Sequence, residues 1–245
     1  MAQLPLLWLE ADEPFPPVDS AWDDESDAPG LLAAGGSLEM HRLREAYVRG
    51  IFPWYSQGQP ILWWCPDPRM VLPIANFRLH RSFKKTLHRF AQDPACEIRV
   101  DTAFDTVIRQ CAQAPRGGQS GTWILPPMVK AYCRLHALGL AHSVETWVDG
   151  ELVAGLYCVA IGQAVFGESM FSKRSDGSKI ALAALVALCK RHGVAQIDCQ
   201  QNTRHLSSLG AAPQPRATFV AAVAQAAQAP GMDWHFSPDF WKQLL

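Results

Sequence analysis

Three polar side chains late in the chain, two acids and an amide, have the types and spacing to work together. The run Ala195-Gln-Ile-Asp-Cys-Gln200 sets an acid and an amide two residues apart at the close of an apolar strand. Side chains alternate along a strand, so Asp198 and Gln200 face one way while Ile197 and Cys199 face the other, and the carboxylate can orient the amide. A second apolar run, Ala164-Val-Phe-Gly, ends in Glu168-Ser-Met-Phe171 and delivers another acid to a strand position. Removing an ionised carboxylate from water without partners costs several kcal/mol. Acids at the ends of two apolar strands therefore either serve a site or mark the solvent edge of a sheet.

The composition narrows the chemistry further. The first thirty residues carry eight acids and neither Lys nor Arg, which leaves the rest of the 245-residue chain at about +7, enough for a limited phosphate-facing patch. The seven cysteines are odd in number and never closer than ten residues apart, so they give neither a disulfide framework nor paired zinc spacing. No metal or cofactor is expected. Met1-Ala-Gln-Leu-Pro5 has no basic leader region, and no apolar run approaches the roughly twenty residues of a membrane span, so a soluble cytoplasmic protein is expected.

The elements that must position the acids follow from pattern. Residues 10–30 are acidic and proline-dotted and read as a poorly ordered or loosely docked arm. After the Gly35-Gly36 turn, Ser37 to Arg49 reads as a helix closed by Gly50. The prolines of Ile51-Phe-Pro-Trp-Tyr55 and Ile61-Leu-Trp-Trp-Cys-Pro-Asp-Pro-Arg69 exclude helix, and a small N-terminal unit is expected to end near residue 69. From Arg81 to Phe90 a helix carries Arg81, Lys84, Lys85, His88 and Arg89 on one face and Phe83, Leu87 and Phe90 on the other. That basic face is either simply solvated or meets an anion, and the lack of acids between Asp67 and Asp93 favours an anion.

Further along, a strand near Glu97 to Val100 and a helix near Phe104 to Ala112 precede a glycine-rich loop with Gly117, Gly118 and Gly121. Pro126 suits the first turn of the next helix. Strands His142–Val148, Leu152–Ile161 and Gln163–Phe171 then form a meander turned at Asp149-Gly150. A helix from Ser178 to His192, the Asp198 strand and a short helix capped by Thr203 follow. This order predicts an α+β sheet in which the helix start near Ser178 and the strand ends share a crevice suited to an ester or phosphate.

The order of parts resembles the acetyltransferase-like (GNAT) core. Gly50-Ile-Phe-Pro-Trp54, Leu62-Trp-Trp-Cys-Pro-Asp-Pro-Arg69, Gly121-Thr-Trp-Ile124, Leu135-His136, Ala141-His-Ser-Val-Glu145, Phe166-Gly-Glu-Ser-Met-Phe-Ser172, Ser178-Lys179, Ile197-Asp-Cys-Gln200 and His205-Leu-Ser-Ser-Leu-Gly-Ala211 together resemble the leucyl/phenylalanyl-tRNA protein transferases. The resemblance implies a small N-terminal α/β unit (residues 1–69) and an acetyltransferase-like mixed-sheet catalytic domain (residues 70–245). It also implies transfer of Leu or Phe, and by extension Met, from aminoacyl-tRNA to the α-amine of proteins beginning with Arg or Lys, feeding N-end-rule degradation. The enzyme would act as a monomer without membrane, metal or acetyl-CoA. Direct aminolysis of an activated ester needs an amine held neutral and in line, and no protein nucleophile.

By the same resemblance Gln200 accepts a hydrogen bond from the attacking amine and Asp198 holds and polarises Gln200. Glu168, beside Gly167, is an electrostatic partner for the amine or the acceptor's cationic side chain. Leu156, Val165, Met170, Leu185 and Ile197 form the amino-acid pocket, Trp54 and Trp123 stack on the terminal adenosine, and Arg81, Lys84, Lys85 and Arg89 meet tRNA. His88, Cys65, Leu125, Val165 and Leu185 depart from the family pattern. Three rivals remain: an acyl-CoA N-acetyltransferase, weakened by Lys179 where a small residue is needed; a cysteine hydrolase using Cys199 and His205; and a non-enzymatic tRNA-binding protein.

Overall fold

A computed structural model describes residues 5–114 and 122–245. Met1 and the loop glycines Gly117, Gly118 and Gly121 lie outside the described residues. In chain order the elements are β1 (Trp8–Leu9), β2 (Leu31–Gly35), α1 (Met40–Val48), β3 (Phe52–Pro53), β4 (Leu62–Trp64), β5 (Arg69–Pro73), α2 (Arg81–Gln92), β6 (Cys96–Val100), α3 (Phe104–Gln113) and α4 (Pro126–Ala137). They continue with β7 (Ala141–Val148), β8 (Glu151–Ile161), β9 (Ala164–Ser172), α5 (Gly177–Arg191), β10 (Gln196–Gln200), α6 (Arg204–Ser208), β11 (Ala212–Gln214) and α7 (Arg216–Ala226). No helix of the described residues is long and apolar enough to cross a membrane.

The fold is α+β with mixed sheets. A four-stranded sheet, ordered β1-β2-β4-β3, precedes a seven-stranded sheet ordered β11-β5-β10-β9-β8-β7-β6. Neighbours from β6 to β9 are antiparallel, while β9 and β10 are parallel. Along β8 the period of two is plain: Tyr157, Val159 and Ile161 enter one core, and Leu156, Cys158 and Ala160 the other. The first core is completed by α1, α3, α4 and the small sheet, the second by α2 and α5. Because Leu43, Tyr47 and Trp63 pack in one cluster with Tyr157 and Phe166, the small sheet shares its core with the large one.

At three points the fold selects between, adds to or corrects what the sequence suggests. The acidic segment is docked: Phe15 and Ala21 are buried, Arg49 donates to the Phe15 and Pro16 carbonyls (2.9 and 2.6 Å), and the Arg42 guanidinium lies 3.7 Å from the Phe15 ring centre. Its scattered apolar side chains anchor it despite its acidic composition. β11 and α7 were not anticipated, since the alanines of α7 surround the helix and leave no apolar stripe to read. Finally, the Ser178 N–H is taken by the Ser172 hydroxyl (3.2 Å), so the first turn of α5 is already partly satisfied.

Candidate active site

β9 and β10 share only the register pairs Val165–Ile197 and Phe166–Asp198. Beyond them β9 stays with β8 and β10 stays with β5, and a cavity of about 370 Å³ opens at the fork, walled by Gly167 to Met170 of one strand and Ile197 to Gln200 of the other. Gly167 permits the strands' approach, since a Cβ there would lie 3.3 Å from the Asp198 carbonyl oxygen. Each strand is irregular beside the fork. In β9, Cys158 pairs with Gly167 and Tyr157 with Ser169, so Glu168 is the bulged residue. In β10, Val71 and Met70 pair with Asp198 and Gln200, which leaves Cys199 over.

Asp198 is 2% exposed and bound twice by Arg69, from Nε to Oδ1 (2.8 Å) and Nη2 to Oδ2 (2.6 Å). The Arg69 guanidinium is packed 4.5 Å from the Phe52 ring centre and 4.8 Å from that of Phe219. Burial works against its charge, and Asp198 more than restores it. Asp198 Oδ1 also accepts the Gln200 backbone N–H (2.9 Å), and the Gln201 N–H reaches back to the Cys199 carbonyl (2.6 Å). Gln200 is thereby held at φ +59°, a left-handed conformation at the centre of a tight turn that costs a side-chain-bearing residue roughly 1 kcal/mol or more.

The expected amide contact of Asp198 is absent: its carboxylate holds the Gln200 backbone, and Glu168 holds the amide. Gln200 Nε2 donates to Glu168 Oε1 (3.2 Å), which also accepts from the Tyr47 hydroxyl (2.7 Å), while the Tyr132 hydroxyl contacts Oε2 (3.4 Å). The two hydroxyls are themselves 2.5 Å apart. Burial pushes the Glu168 carboxyl up to about 7, against the lowering Tyr47 bond; Asp198 pushes it further up, and the Gln200 and Tyr132 bonds pull it down. Burial, then the Glu168 charge, hold Tyr47 and Tyr132 well above the ordinary phenol value, so both stay neutral donors.

The remaining wall is apolar. Leu156, Met170, Leu185 and Ile197 line it, together with Leu182, Leu206, Trp54, Trp123 and Phe52. Val165 is not brought to this cavity; it is buried at 2% beside its register partner Ile197 and borders a separate hollow with Phe219 and Val223. The first turn of α5 does not line the cavity either, because the helix approaches it with Leu182 and Leu185. Cys199 borders the cavity at the strand end, but burial, then Asp198, push its thiol up to about 12. His205 is held below its ordinary value by burial and then Lys179. A thiol so far from ionisation is a poor nucleophile. No three His, Cys, Asp or Glu residues among the described residues come together as metal ligands.

On α2, Phe83, Leu87 and Phe90 are buried, while Arg81, Lys85, His88 and Arg89 are exposed and Lys84 half-buried. Among the described residues none of these cations pairs with a carboxylate. The helix start adjoins the cavity wall, since the His80 ring contacts the Ser208 carbonyl (2.9 Å) at the end of α6, and Thr203 and Leu206 line the cavity. Sequence reasoning missed Tyr47, Tyr132 and Arg69. The two tyrosines read as ordinary apolar helix positions. Arg69 carried one signal, a lone charge at the head of an apolar strand.

Residues 71–224 match the family described as leucyl/phenylalanyl-tRNA protein transferase, and residues 36–67 match its N-terminal domain. A leucyl/phenylalanyl-tRNA protein transferase of Albidiferax ferrireducens is 62% identical over 98% of this chain and 95% of that protein. One from Polaromonas sp. is 59% identical over 98% and 94%. Among solved structures, FemX aligns over 72% of this chain and 66% of its own with a TM-score of 0.45 and 10% identity. A GCN5-related N-acetyltransferase from Kribbella flavida covers 68% and 57%, with a TM-score of 0.37 and 12% identity.

Proposed function

Because the chain belongs to the leucyl/phenylalanyl-tRNA protein transferase family, and is thus an aminoacyltransferase using aminoacyl-tRNA, we propose that it places Leu or Phe on the α-amine of proteins beginning with Arg or Lys. The same apolar wall admits Met. The products enter N-end-rule degradation in the cytoplasm, and the enzyme works as a monomer. Residues 1–69 act as a cap that brings Phe52 and Trp54 over residues 70–245.

The observation that carries this reading is the fixed direction of the Gln200 amide. Its Nε2 donates to Glu168 (3.2 Å), so its carbonyl oxygen is the atom left to accept an N–H from the attacking amine. A neutral amide is a weak base and acts here as a positioner. Asp198 sets the Gln200 backbone, and Arg69 sets Asp198. Leu156, Met170, Leu185 and Ile197 take the transferred side chain and reject charged ones, which would be desolvated without a partner. Trp54 and Trp123 take the terminal adenosine, at roughly 1–3 kcal/mol per stacked base. Arg81, Lys84, Lys85 and Arg89 take tRNA phosphates.

In the reaction the acceptor ammonium first gives up one proton to solvent water. The neutral nitrogen then attacks the ester carbonyl, the new C–N bond forms, and the bond to the ribose oxygen breaks. The departing oxygen takes the second amine proton, so the enzyme is unchanged. Asp198 is neutralised by Arg69, so Glu168, whose ionised form an approaching cation stabilises, gives the acceptor end of the site its negative character and favours a cationic first residue. The test is incubation with leucyl-tRNA and peptides that differ only in their first residue, followed by mass measurement. Arg- and Lys-initiated peptides should gain one leucine; equal labelling of Asp-initiated peptides would overturn the acceptor assignment.

A further inference from the structure

We propose that a groove beside the cavity binds the acceptor polypeptide just beyond its first residue, and that the acidic loop at its edge favours basic residues there. This rests on the acceptor reading given above and adds a second binding element to it. The groove encloses about 240 Å³ and shares Phe52, Trp54, Gln200 and Gln201 with the cavity. Its other wall is built from Trp64, Pro66 and Pro68, with Pro29 and Asn202 at its edges.

Continuity selects the occupant. An acceptor whose α-amine sits at the Gln200 carbonyl must leave the cavity past Gln200, and the groove opens at that residue. Flat tryptophan and proline faces suit an extended chain, and the exposed Gln201 and Asn202 amides offer hydrogen bonds to its peptide groups. Trp64 is fixed in place by its indole N–H donating to the Trp54 carbonyl (2.7 Å).

Charge decides between polypeptide and nucleic acid. Among the described residues no Lys or Arg lines the groove. Pro29 ends a loop carrying the exposed acids Asp23, Asp24, Glu25 and Asp27, closed by Gly30 N–H to the Trp22 carbonyl (2.8 Å) and Trp22 N–H to the Leu31 carbonyl (2.8 Å). The Cys65 N–H bonds the Gly30 carbonyl (2.8 Å), which seats the loop against the Pro66 wall. Arg216 reaches this wall too, its guanidinium donating to the Cys65 carbonyl (2.9 Å), and the exposed Asp67, whose carboxylate accepts the Arg216 backbone N–H (2.9 Å), sets an acid beside it. The groove lining itself carries no charge among the described residues, and the loop that reaches it at Pro29 is acidic, so at longer range a basic peptide is attracted there and an RNA strand is repelled. The basic face of α2 adjoins the cavity through α6, and the phosphates belong there.

The experiment measures kcat/KM, with leucyl-tRNA fixed, for Arg-initiated peptides whose second and third residues are Lys, Ala or Glu. Wild type and the variant Asp23→Asn/Asp24→Asn/Glu25→Gln/Asp27→Asn are compared at low and high salt. We expect wild type to favour Lys over Glu by roughly tenfold at low salt, shrinking as salt screens exposed charges, and the variant to lose most of that ratio. Asn202→Lys, at the opposite edge, should reverse the preference and gives an independent reading if the loop variant misfolds. An unchanged Lys/Glu ratio in both variants overturns the proposal, as does a loop variant that only tightens tRNA binding. Failure of every Arg-initiated peptide in wild type would instead overturn the acceptor reading.

Discussion

Replacing Glu168 by Gln tests the centre of the site through stability as well as rate. The wild-type carboxyl is raised from 4.5 to about 7 in the folded protein. The native state therefore keeps a proton that the unfolded chain releases, and this stabilisation is present in full below pH 4.5 and lost as pH rises through about 7. A shift of 4.5 to about 7 at 1.36 kcal/mol per unit amounts to about 3 kcal/mol at most, of which about 2.5 kcal/mol falls between pH 5 and pH 8. Glu168→Gln has no proton to lose. Urea unfolding of both proteins at pH 5 and pH 8 should show the variant gaining about 2 kcal/mol on wild type across that interval. Its turnover with leucyl-tRNA should fall roughly tenfold or more and lose any ionisation near neutrality, because two carboxamides then compete for one orientation. A wild-type minus variant difference that is flat with pH would refute the argument that burial sets this carboxyl.

Other expectations follow from the same geometry. Asp198→Ala strands the buried Arg69 charge and releases the Gln200 turn, so it should cost roughly 3–5 kcal/mol in thermal or urea unfolding as well as activity. Gln200→Ala should lower turnover far more than tRNA affinity, measured by single-turnover rates against filter binding. Cys199→Ala should keep most activity in the same assay, and a folded but inactive variant would return a covalent route. Neutralising Arg81, Lys84, Lys85 and Arg89 should weaken tRNA binding and flatten its log–log salt slope by roughly one contact each, while a short aminoacyl-adenosine donor reacts as before. An unchanged slope would mean that the helix face is only solvated.

Much of this arrangement is legible in the sequence, for definable reasons. The amphipathic pattern of Arg81 to Phe90 and the alternation of β8 report local periodicity, and both correspond to the observed elements. Asp198 and Gln200 stand out because polar residues close an apolar run. Their partners do not, because pairing is non-local: Arg69 lies on a strand laid beside β10, and Tyr47 and Tyr132 come from two helices far apart in sequence whose hydroxyls converge on Glu168. Strand alternation predicts which way Asp198 leaves the sheet, but the left-handed turn at Gln200 decides which carboxylate holds the amide.

The strand order carries a consequence for synthesis. The meander β6 to β9 can zip together in the order in which it leaves the ribosome, each strand finding the one made just before it. β5 cannot, since its neighbours in the seven-stranded sheet are β10 and β11, made more than a hundred residues later. Until then it is an apolar segment with both edges open and an arginine lacking its counter-charge. Half of the fork that bears the candidate site therefore comes into being only once β10 has been made, and an arrested chain lacking β10 would expose an unpaired strand to chaperone binding or aggregation.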